Sequence, residues 1–158
     1  MTNRGNNADE LLLTIDVTWQ PRNSWRAIRL LQRVAEHTLR AEGFDRGHLS
    51  IAVVGASENP GPGLQVLENL RQLGYEGEIY PVNPRYQEVM GLTCYPSLAA
   101  VREAGHSVDL VAILLNRNLV LPILEEAARI DARAAWAFAN GFAEAGEEGR
   151  ALQQQITD

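Results

Sequence analysis

The stretch that decides the fold is Ser50-Ile-Ala-Val-Val-Gly-Ala-Ser-Glu-Asn-Pro-Gly-Pro-Gly63. Residues 50–54 form an apolar run without alternation, which is typical of a strand buried on both faces of a sheet. Three glycines, Gly55, Gly61 and Gly63, then lead into leucines that recur every three residues, as in a helix. A buried strand, a glycine-rich turn and a helix together predict the first unit of a parallel α/β sheet.

The same alternation continues towards the end of the chain. We predict further strands over residues 78–82, 110–115 and 134–139, and helices over residues 64–73, 96–105, 119–130 and 145–156. Gly74 lies where a glycine commonly ends a helix. Because crossovers between parallel strands are right-handed, these units predict a Rossmann-like, doubly wound parallel sheet.

Residues 1–47 differ from this pattern and are predicted to form an N-terminal helical extension to a domain over residues 48–158. Apolar and polar residues alternate over residues 13–19, which indicates a half-buried strand. Ser24 is a suitable N-cap for a helix over residues 25–41. Arginines of that helix could bind anions, but we favour the interpretation that they form a solvated helix face.

Composition excludes several classes of protein. The 158 residues carry a formal charge of -6, and all 14 basic residues are arginine, so P-loop and Schiff-base lysines are excluded. Cys94 is the single cysteine, which excludes an intramolecular disulfide. The acidic main domain argues against a nucleic-acid partner, and no apolar run is long enough to span a membrane. A polar N-terminus without a secretory signal leads us to expect a cytoplasmic protein.

In an open α/β sheet, ligands bind beyond the carboxyl ends of the strands. The glycine-rich turn after the first strand precedes a helix N-terminus, which predicts a phosphate or pyrophosphate site. Its spacing fits neither G-x-G-x-x-G nor the P-loop. Asn83 occupies the position where NAD-binding folds usually carry an acid, and Arg85 could meet the 3′-phosphate of coenzyme A or the 2′-phosphate of NADP.

The remaining strand ends carry polar and small residues. After the third strand, Asn116 or Asn118 could cap the next helix, and after the fourth strand Gly141 would let a ligand pass close to the backbone. We identify no catalytic set, because the histidines lack a Cys, Ser or acidic partner at a convincing spacing. His106, in a loop, is interpreted as a surface residue.

Five segments, in order and at matching spacing, resemble the CoA-binding domain of NDP-forming acyl-CoA synthetases, relatives of the succinyl-CoA synthetase α subunit. They are Ile51-Ala-Val-Val-Gly-Ala-Ser57, Tyr80-Pro-Val-Asn-Pro84, Gly91-Leu-Thr-Cys-Tyr-Pro-Ser-Leu98, Val108-Asp-Leu-Val-Ala-Ile113 and Asn140-Gly-Phe-Ala-Glu-Ala-Gly-Glu-Glu-Gly149. The resemblance covers residues 48–156. The chain departs from the family at Leu115-Asn116, where a Val-Pro pair is common, at Pro62 within the glycine loop, and at Tyr86, where succinyl-CoA enzymes have a lysine.

The resemblance implies that the domain binds coenzyme A, as CoA or acyl-CoA. The glycine loop would hold the phosphates, the turn after the second strand would follow the nucleotide, and the ends of the third and fourth strands would border the pantetheine arm. The implied contacts are Gly55, Ala56, Ser57, Asn59, Gly61, Gly63, Asn83, Pro84, Arg85, Tyr86, Leu115, Asn116, Ala139, Asn140 and Gly141.

The reaction of that family converts an acid, NTP and CoA into acyl-CoA, NDP and phosphate. It requires a phosphohistidine domain and an ATP-grasp domain, neither of which is in this sequence, so we expect them on another chain. A stand-alone, non-enzymatic CoA-binding or sensing module is the alternative, and an NADP-binding module is a third reading. A homo-oligomer is left open.

Overall fold

The computed structural model describes residues 49–72 and 74–138, the backbone of residues 12–16, and residues 147, 150, 151, 154 and 155. The predicted helix over residues 25–41 lies outside the described residues, as do Ala139, Asn140 and Gly141. The predicted helix over residues 145–156 is described at five positions, and all five are helical.

A five-stranded sheet with the order β1-β7-β6-β2-β3 forms the centre of the described structure, and every pairing in it is parallel. Two further strands form a separate antiparallel hairpin. The strands are β1 (Leu12–Asp16), β2 (Ile51–Val54), β3 (Ile79–Val82), β4 (Glu88–Val89), β5 (Leu92–Thr93), β6 (Leu110–Ile113) and β7 (Ala134–Phe138). All four residues of β2 and of β6 are buried, as expected for apolar strands covered on both faces.

Helices pack on both faces of this sheet. They are α1 (Pro62–Gln72), α2 (Leu98–Glu103) and α3 (Arg117–Arg129). On one face, Val66, Leu67 and Leu70 of α1 pack with Ile51 and Val53 of β2. On the other face, apolar residues of α2 and α3 pack with the alternate strand residues, among them Val54, Leu98, Val101, Ile113, Val120 and Leu124. This arrangement confirms the Rossmann-like, doubly wound prediction.

The helices α1, α2 and α3 end in the same way. Backbone N–H groups just after each helix donate to carbonyl oxygens of its last turns. After α1, the N–H of Tyr75 donates to Leu70 O (3.0 Å) and Gly74 has φ +65°, which confirms the predicted helix end. Gly105 ends α2 with φ +90°. After α3 the equivalent position is Asp131 with φ +59°, a conformation that a side chain adopts at a cost.

The β4–β5 hairpin was not predicted from the sequence. Met90 and Gly91 form its turn, with φ values of 51° and 77°, and this pair is not one of the Asn-Gly or Asp-Gly signals that mark such turns. Val89 is fully buried against the α1 face. The hairpin therefore belongs to the core and lies beside the loop that follows β2.

Within residues 49–138 the other predicted elements are present, with small shifts at their ends. The helix predicted to begin at residue 119 begins at Arg117, so Asn118 lies inside α3 and does not cap it. The strand predicted over residues 13–19 is β1, which pairs with β7. Among the described helices, none combines the length and apolar character needed to cross a membrane.

Candidate functional site

The loop after β2 begins at a tight crossing of two strand ends. Gly55 has φ +92°, and a Cβ added to it would lie 2.4 Å from the carbonyl oxygen of Leu114, just after β6. Only glycine satisfies both constraints. From β2 the chain passes to α1 on one face of the sheet, whereas from β6 it passes to α3 on the other. Gly55 and Leu114 therefore form the floor of the crevice between diverging loops.

The helix α1 begins directly above this crossing. Gly61 accepts the first helical hydrogen bond from Gln65 N (3.0 Å), and Pro62 is the first helical residue. Proline suits that position because its missing N–H would have no helical partner. Pro62, a departure from the family within the glycine loop, thus starts the helix. The next amides, at Gly63 and Leu64, lie at the positive end of α1.

Two glycines of this helix start serve different needs. A Cβ on Gly63 would lie 2.0 Å from the carbonyl oxygen of Gly55, so Gly63 allows α1 to sit against the end of β2. Among the described residues, a Cβ on Gly61 would meet only Asn59 O, at 4.0 Å. Residues 58–61 are exposed. Gly61 thus keeps open a space that no described residue fills.

Asn83, after β3, ties two loops together. Its Nδ2 donates to Ala56 O (2.8 Å), and its Oδ1 accepts from the backbone N–H of Arg85 (2.9 Å). Both ends of the amide are therefore used within the protein. Asn83 thus positions the site, and an ionised acid at this place could not donate the bond to Ala56 O.

Tyr86 connects the same turn to the tip of the glycine loop. Its hydroxyl lies 3.4 Å from Ser57 Oγ and accepts from Asn59 Nδ2 (3.2 Å), while the backbone N–H of Asn59 donates to Ser57 Oγ (2.9 Å). One hydrogen bond between the two hydroxyl groups uses one of their two protons. The other proton stays available to an acceptor outside the loop, such as a phosphate oxygen.

Charges at this rim are few. Glu58 accepts a hydrogen bond from the backbone N–H of Met90 (3.1 Å), which fixes the loop to the β4–β5 hairpin. Arg85 is exposed and forms no ion pair with another described residue. Its guanidinium is therefore available to an anion.

The end of β6 contributes the opposite wall of the crevice. Leu115 is half-buried and packs on the α2–α3 face, and Asn116 is exposed at the N-cap position of α3. Asn116 thus occupies the predicted N-cap position, but its side chain makes no capping hydrogen bond. Its amide is free to meet a ligand that crosses the crevice.

The described structure therefore gathers three of the four predicted loops at one edge of the sheet. The fourth, Ala139 to Gly141, lies outside the described residues. Three residues that the sequence did not single out also belong to the site. Glu58 and Met90 are joined by a hydrogen bond between the loop and the hairpin, and Leu114 contacts Gly55. The only signal for them was their position beside the strand ends.

Other reactive groups lie away from this edge or are buried. His106 is half-buried and stacks on Tyr80, with ring centroids 4.8 Å apart, so it is a packed residue and not the surface residue we expected. Burial raises the pKa of the Cys94 thiol, which keeps it protonated near neutral pH. Among the described residues, no three His, Cys, Asp or Glu side chains are grouped as metal ligands.

Comparison with known proteins identifies the family of the domain. A family model described as a CoA binding domain matches residues 49–156. An ADP-forming acetate–CoA ligase from Archaeoglobus fulgidus is 38% identical over 109 residues, which are 68% of this chain and 15% of the ligase. The chain spans less than a quarter of the length of the first curated relatives that it matches.

Solved structures of two kinds are similar to the chain. A dinucleotide-forming acetyl-coenzyme A synthetase from Candidatus Korarchaeum cryptofilum, in complex with phosphate and ADP, is 35% identical with a TM-score of 0.62, covering 68% of this chain and 22% of the synthetase. A conserved hypothetical protein from Pyrococcus furiosus is 31% identical with a TM-score of 0.53, covering 69% of this chain and 85% of that protein. The same fold thus occurs within a long chain and as most of a short one.

Proposed function

Because this chain belongs to the family of CoA-binding domains, we propose that it binds the diphosphate of coenzyme A on the loop from Gly55 to Gly63. The observation that carries this proposal is the open space at Gly61, the residue that immediately precedes α1. Helix N-termini bind phosphate through unpaired N–H groups and the helix dipole. The available hydroxyl proton of the Ser57–Tyr86 pair adds a further donor at the same place.

Arg85 supplies the positive charge for the nucleotide end of the ligand. It lies two residues after Asn83, and the Asn83 side chain fixes the backbone of Arg85 through a 2.9 Å hydrogen bond. An exposed, unpaired guanidinium suits a phosphate that projects from a ribose, because Arg binds phosphate with two parallel hydrogen bonds. We assign Arg85 to the 3′-phosphate of CoA, with Pro84 and Tyr86 beside the nucleotide.

The pantetheine arm then crosses the crevice towards β6 and β7. Leu115 offers a partly buried apolar surface, and Asn116 offers a side-chain amide that makes no capping hydrogen bond. These two groups match the apolar and amide parts of the pantetheine arm. Ala56 is fully buried below the loop and fixes its base. Ala139, Asn140 and Gly141 remain assigned to the arm on the resemblance alone.

The biological role that we propose is the CoA-binding part of an NDP-forming acyl-CoA synthetase, acting together with ATP-grasp and phosphohistidine domains. The ADP-forming ligases among the relatives support this role. A stand-alone CoA-binding module is the second candidate, favoured by the short Pyrococcus furiosus protein that this chain covers over 85% of its length. A neighbouring reading frame that encodes an ATP-grasp domain would favour the synthetase.

Calorimetric titration with CoA, dephospho-CoA, NADP and NAD tests the binding proposal. We expect CoA to bind about tenfold more tightly than dephospho-CoA, because a hydrogen bond to a charged group contributes about 1.5 kcal/mol. Arg85→Ala should remove this difference. Arg102→Ala is the matched control, since Arg102 is an exposed arginine in the last turn of α2.

Each outcome has a defined meaning. If the chain does not bind CoA, the proposed function is wrong. Tighter binding of NADP than of CoA would identify a dinucleotide module instead. If CoA binds but Arg85→Ala keeps the preference for CoA over dephospho-CoA, the assignment of the 3′-phosphate to Arg85 is wrong.

A further inference from the structure

The N-terminal strand β1 occupies a place that the proposed function does not use. It lies at the edge of the sheet, parallel to β7, with Leu12 opposite Ala134 and Asp16 opposite Phe138. Because the two strands are parallel, their carboxyl ends meet at one edge of the sheet. Asp16 therefore stands at the same edge as the loops of the CoA site.

The strand order sets the direction in which the ligand extends. Across the sheet, the carboxyl ends of the strands lie in the spatial order β3, β2, β6, β7 and β1. The proposed function assigns the nucleotide to the end of β3, the diphosphate to the loop after β2, and the pantetheine arm to the ends of β6 and β7. The next strand in that direction is β1. Three strand spacings of about 4.8 Å place it about 14 Å from β2.

We infer that the carboxyl end of β1, at Asp16, borders the thiol end of bound coenzyme A, so that β1 forms part of the ligand site. This inference rests on the proposed function and extends it. The chain would then bring its own residues to the reactive end of the ligand, where the thiol or the acyl group lies.

Charge is consistent with this polarity of the site. Arg85 follows β3 at one end of the row of strands, and Asp16 ends β1 at the other. A carboxylate repels phosphate but tolerates a thiol or an uncharged acyl group. The row of strand ends thus runs from a cationic to an anionic residue, in the order expected for a ligand that carries its phosphates at one end.

A thiol-capture experiment tests the position of the CoA thiol. In a Cys94→Ala background, one new cysteine is introduced by Asp16→Cys and activated as its mixed disulfide with thionitrobenzoate. The CoA thiolate attacks the protein sulfur, a new S–S bond forms between the protein and CoA, and thionitrobenzoate leaves with the electron pair of the broken S–S bond. The coloured product gives the rate, and pantetheine, which has the same thiol without the nucleotide, gives the unanchored rate.

We expect CoA to react with the Asp16→Cys protein at least about tenfold faster than pantetheine does at equal concentration, and its rate to saturate. Binding raises the local concentration of the thiol to the millimolar range. Glu103→Cys is the control: Glu103 is exposed at the end of α2, and there CoA and pantetheine should react at equal rates. Acetyl-CoA, whose thiol is blocked, should compete away the acceleration at position 16.

The two proposals fail in different ways. If calorimetry shows that the Cys94→Ala chain with Asp16 intact binds CoA, but the CoA-to-pantetheine rate ratio at position 16 equals that at position 103, the inference about β1 is wrong and the proposed function stands. If the chain with Asp16 intact does not bind CoA, the proposed function itself is wrong. Calorimetry on the Asp16→Cys protein shows whether that variant still binds CoA, so a rate ratio of one cannot be attributed to lost binding.

Discussion

Gly63→Ala should damage the fold, whereas Gly61→Ala, two residues earlier, should leave it intact. The added Cβ at position 63 would lie 2.0 Å from Gly55 O, 3.0 Å from Gly55 C and 3.2 Å from the Cα of Ala56. All three neighbours are backbone atoms, so no side chain can rotate away. The start of α1 must then move by at least about 1 Å to reach a tolerable separation.

The size of the effect follows from what α1 carries. Val66, Leu67 and Leu70 are each at most 3% exposed, and they would shift with the helix. Forced overpacking of a core costs about 1 to 3 kcal/mol, and we take the upper value because the contact is with backbone. Alanine is favoured over glycine in a helix by about 1 kcal/mol. The expected net loss in the free energy of unfolding is therefore about 2 kcal/mol.

Urea denaturation followed by circular dichroism measures this loss. With a slope of about 2 kcal/mol per molar urea, the midpoint should fall by about 1 M. In Gly61→Ala the described residues leave open space around the new Cβ. Alanine lowers the entropy of the unfolded chain, which stabilises the fold, but it is a poorer N-cap residue than glycine, which destabilises α1. The free energy of unfolding should therefore stay within about 1 kcal/mol of the parent. The reasoning is refuted if the two variants unfold at the same urea concentration.

The same pair of variants separates the fold from the ligand site. Because Gly61→Ala keeps the fold, any loss of CoA affinity in that variant comes from atoms placed where the diphosphate should lie. A larger side chain, as in Gly61→Val, should weaken every phosphate-bearing ligand further. Unchanged affinity in both would count against the loop as the phosphate site.

Two further predictions concern stability. Asp131→Gly should raise the free energy of unfolding, measured in urea, by about 0.5 to 1 kcal/mol, because Asp131 holds φ +59° and places a negative charge at the end of α3. An unchanged or lowered stability would show that Asp131 has a compensating contact. Asp131→Asn removes the charge but keeps a side chain at φ +59°, so it separates the two causes. Burial and the charge of Asp109 raise the pKa of Tyr75 from 10.0 to about 12. Because the unfolded chain loses the Tyr75 proton at a lower pH than the folded chain does, the stabilisation by neutral Tyr75 is complete below pH 10 and is lost as the pH rises through 12. The chain has no lysine, so the buried tyrosines and Cys94 dominate that range. Tyr75→Phe should flatten the alkaline loss of stability, leaving the parts due to Tyr80 and Cys94, whose pKa values burial also raises; an unchanged pH profile would contradict the assignment to Tyr75.

The sequence predicts the sheet well because its signals are local. Residues 51–54 and 110–113 are apolar throughout, and such runs bury both faces of a strand wherever they occur. Gly74 and Gly105 mark helix ends by their own conformational freedom. The end of α3 carries no such mark, because Asp131 occupies the left-handed position, yet the apolar pattern alone located that helix to within two residues.

The β4–β5 hairpin and the place of β1 could not be predicted in the same way. Met90-Gly91 has no turn signature, and the two strands that it joins are only two residues long. Residues 12–16 predict a strand, but nothing local says which edge it joins or in which direction. That choice depends on β7, which is more than a hundred residues away along the chain.

The candidate site shows the same division between local and long-range information. The glycine loop and Arg85 could be proposed as site residues from the sequence, because the reasons lie in their own segments: exposed backbone in the loop and a positive charge at Arg85. The links that hold the loop in shape were not, since Ser57 and Tyr86 are 29 residues apart and Glu58 and Met90 are 32 apart. These links all come from the segment between β3 and α2, which surrounds the loop with the Asn83 amide, the Tyr86 hydroxyl and the Met90 backbone N–H. Because these three hydrogen bonds restrain the loop, it has little conformational freedom to lose when a ligand binds. The restraint therefore lowers the entropic cost of binding a flexible ligand.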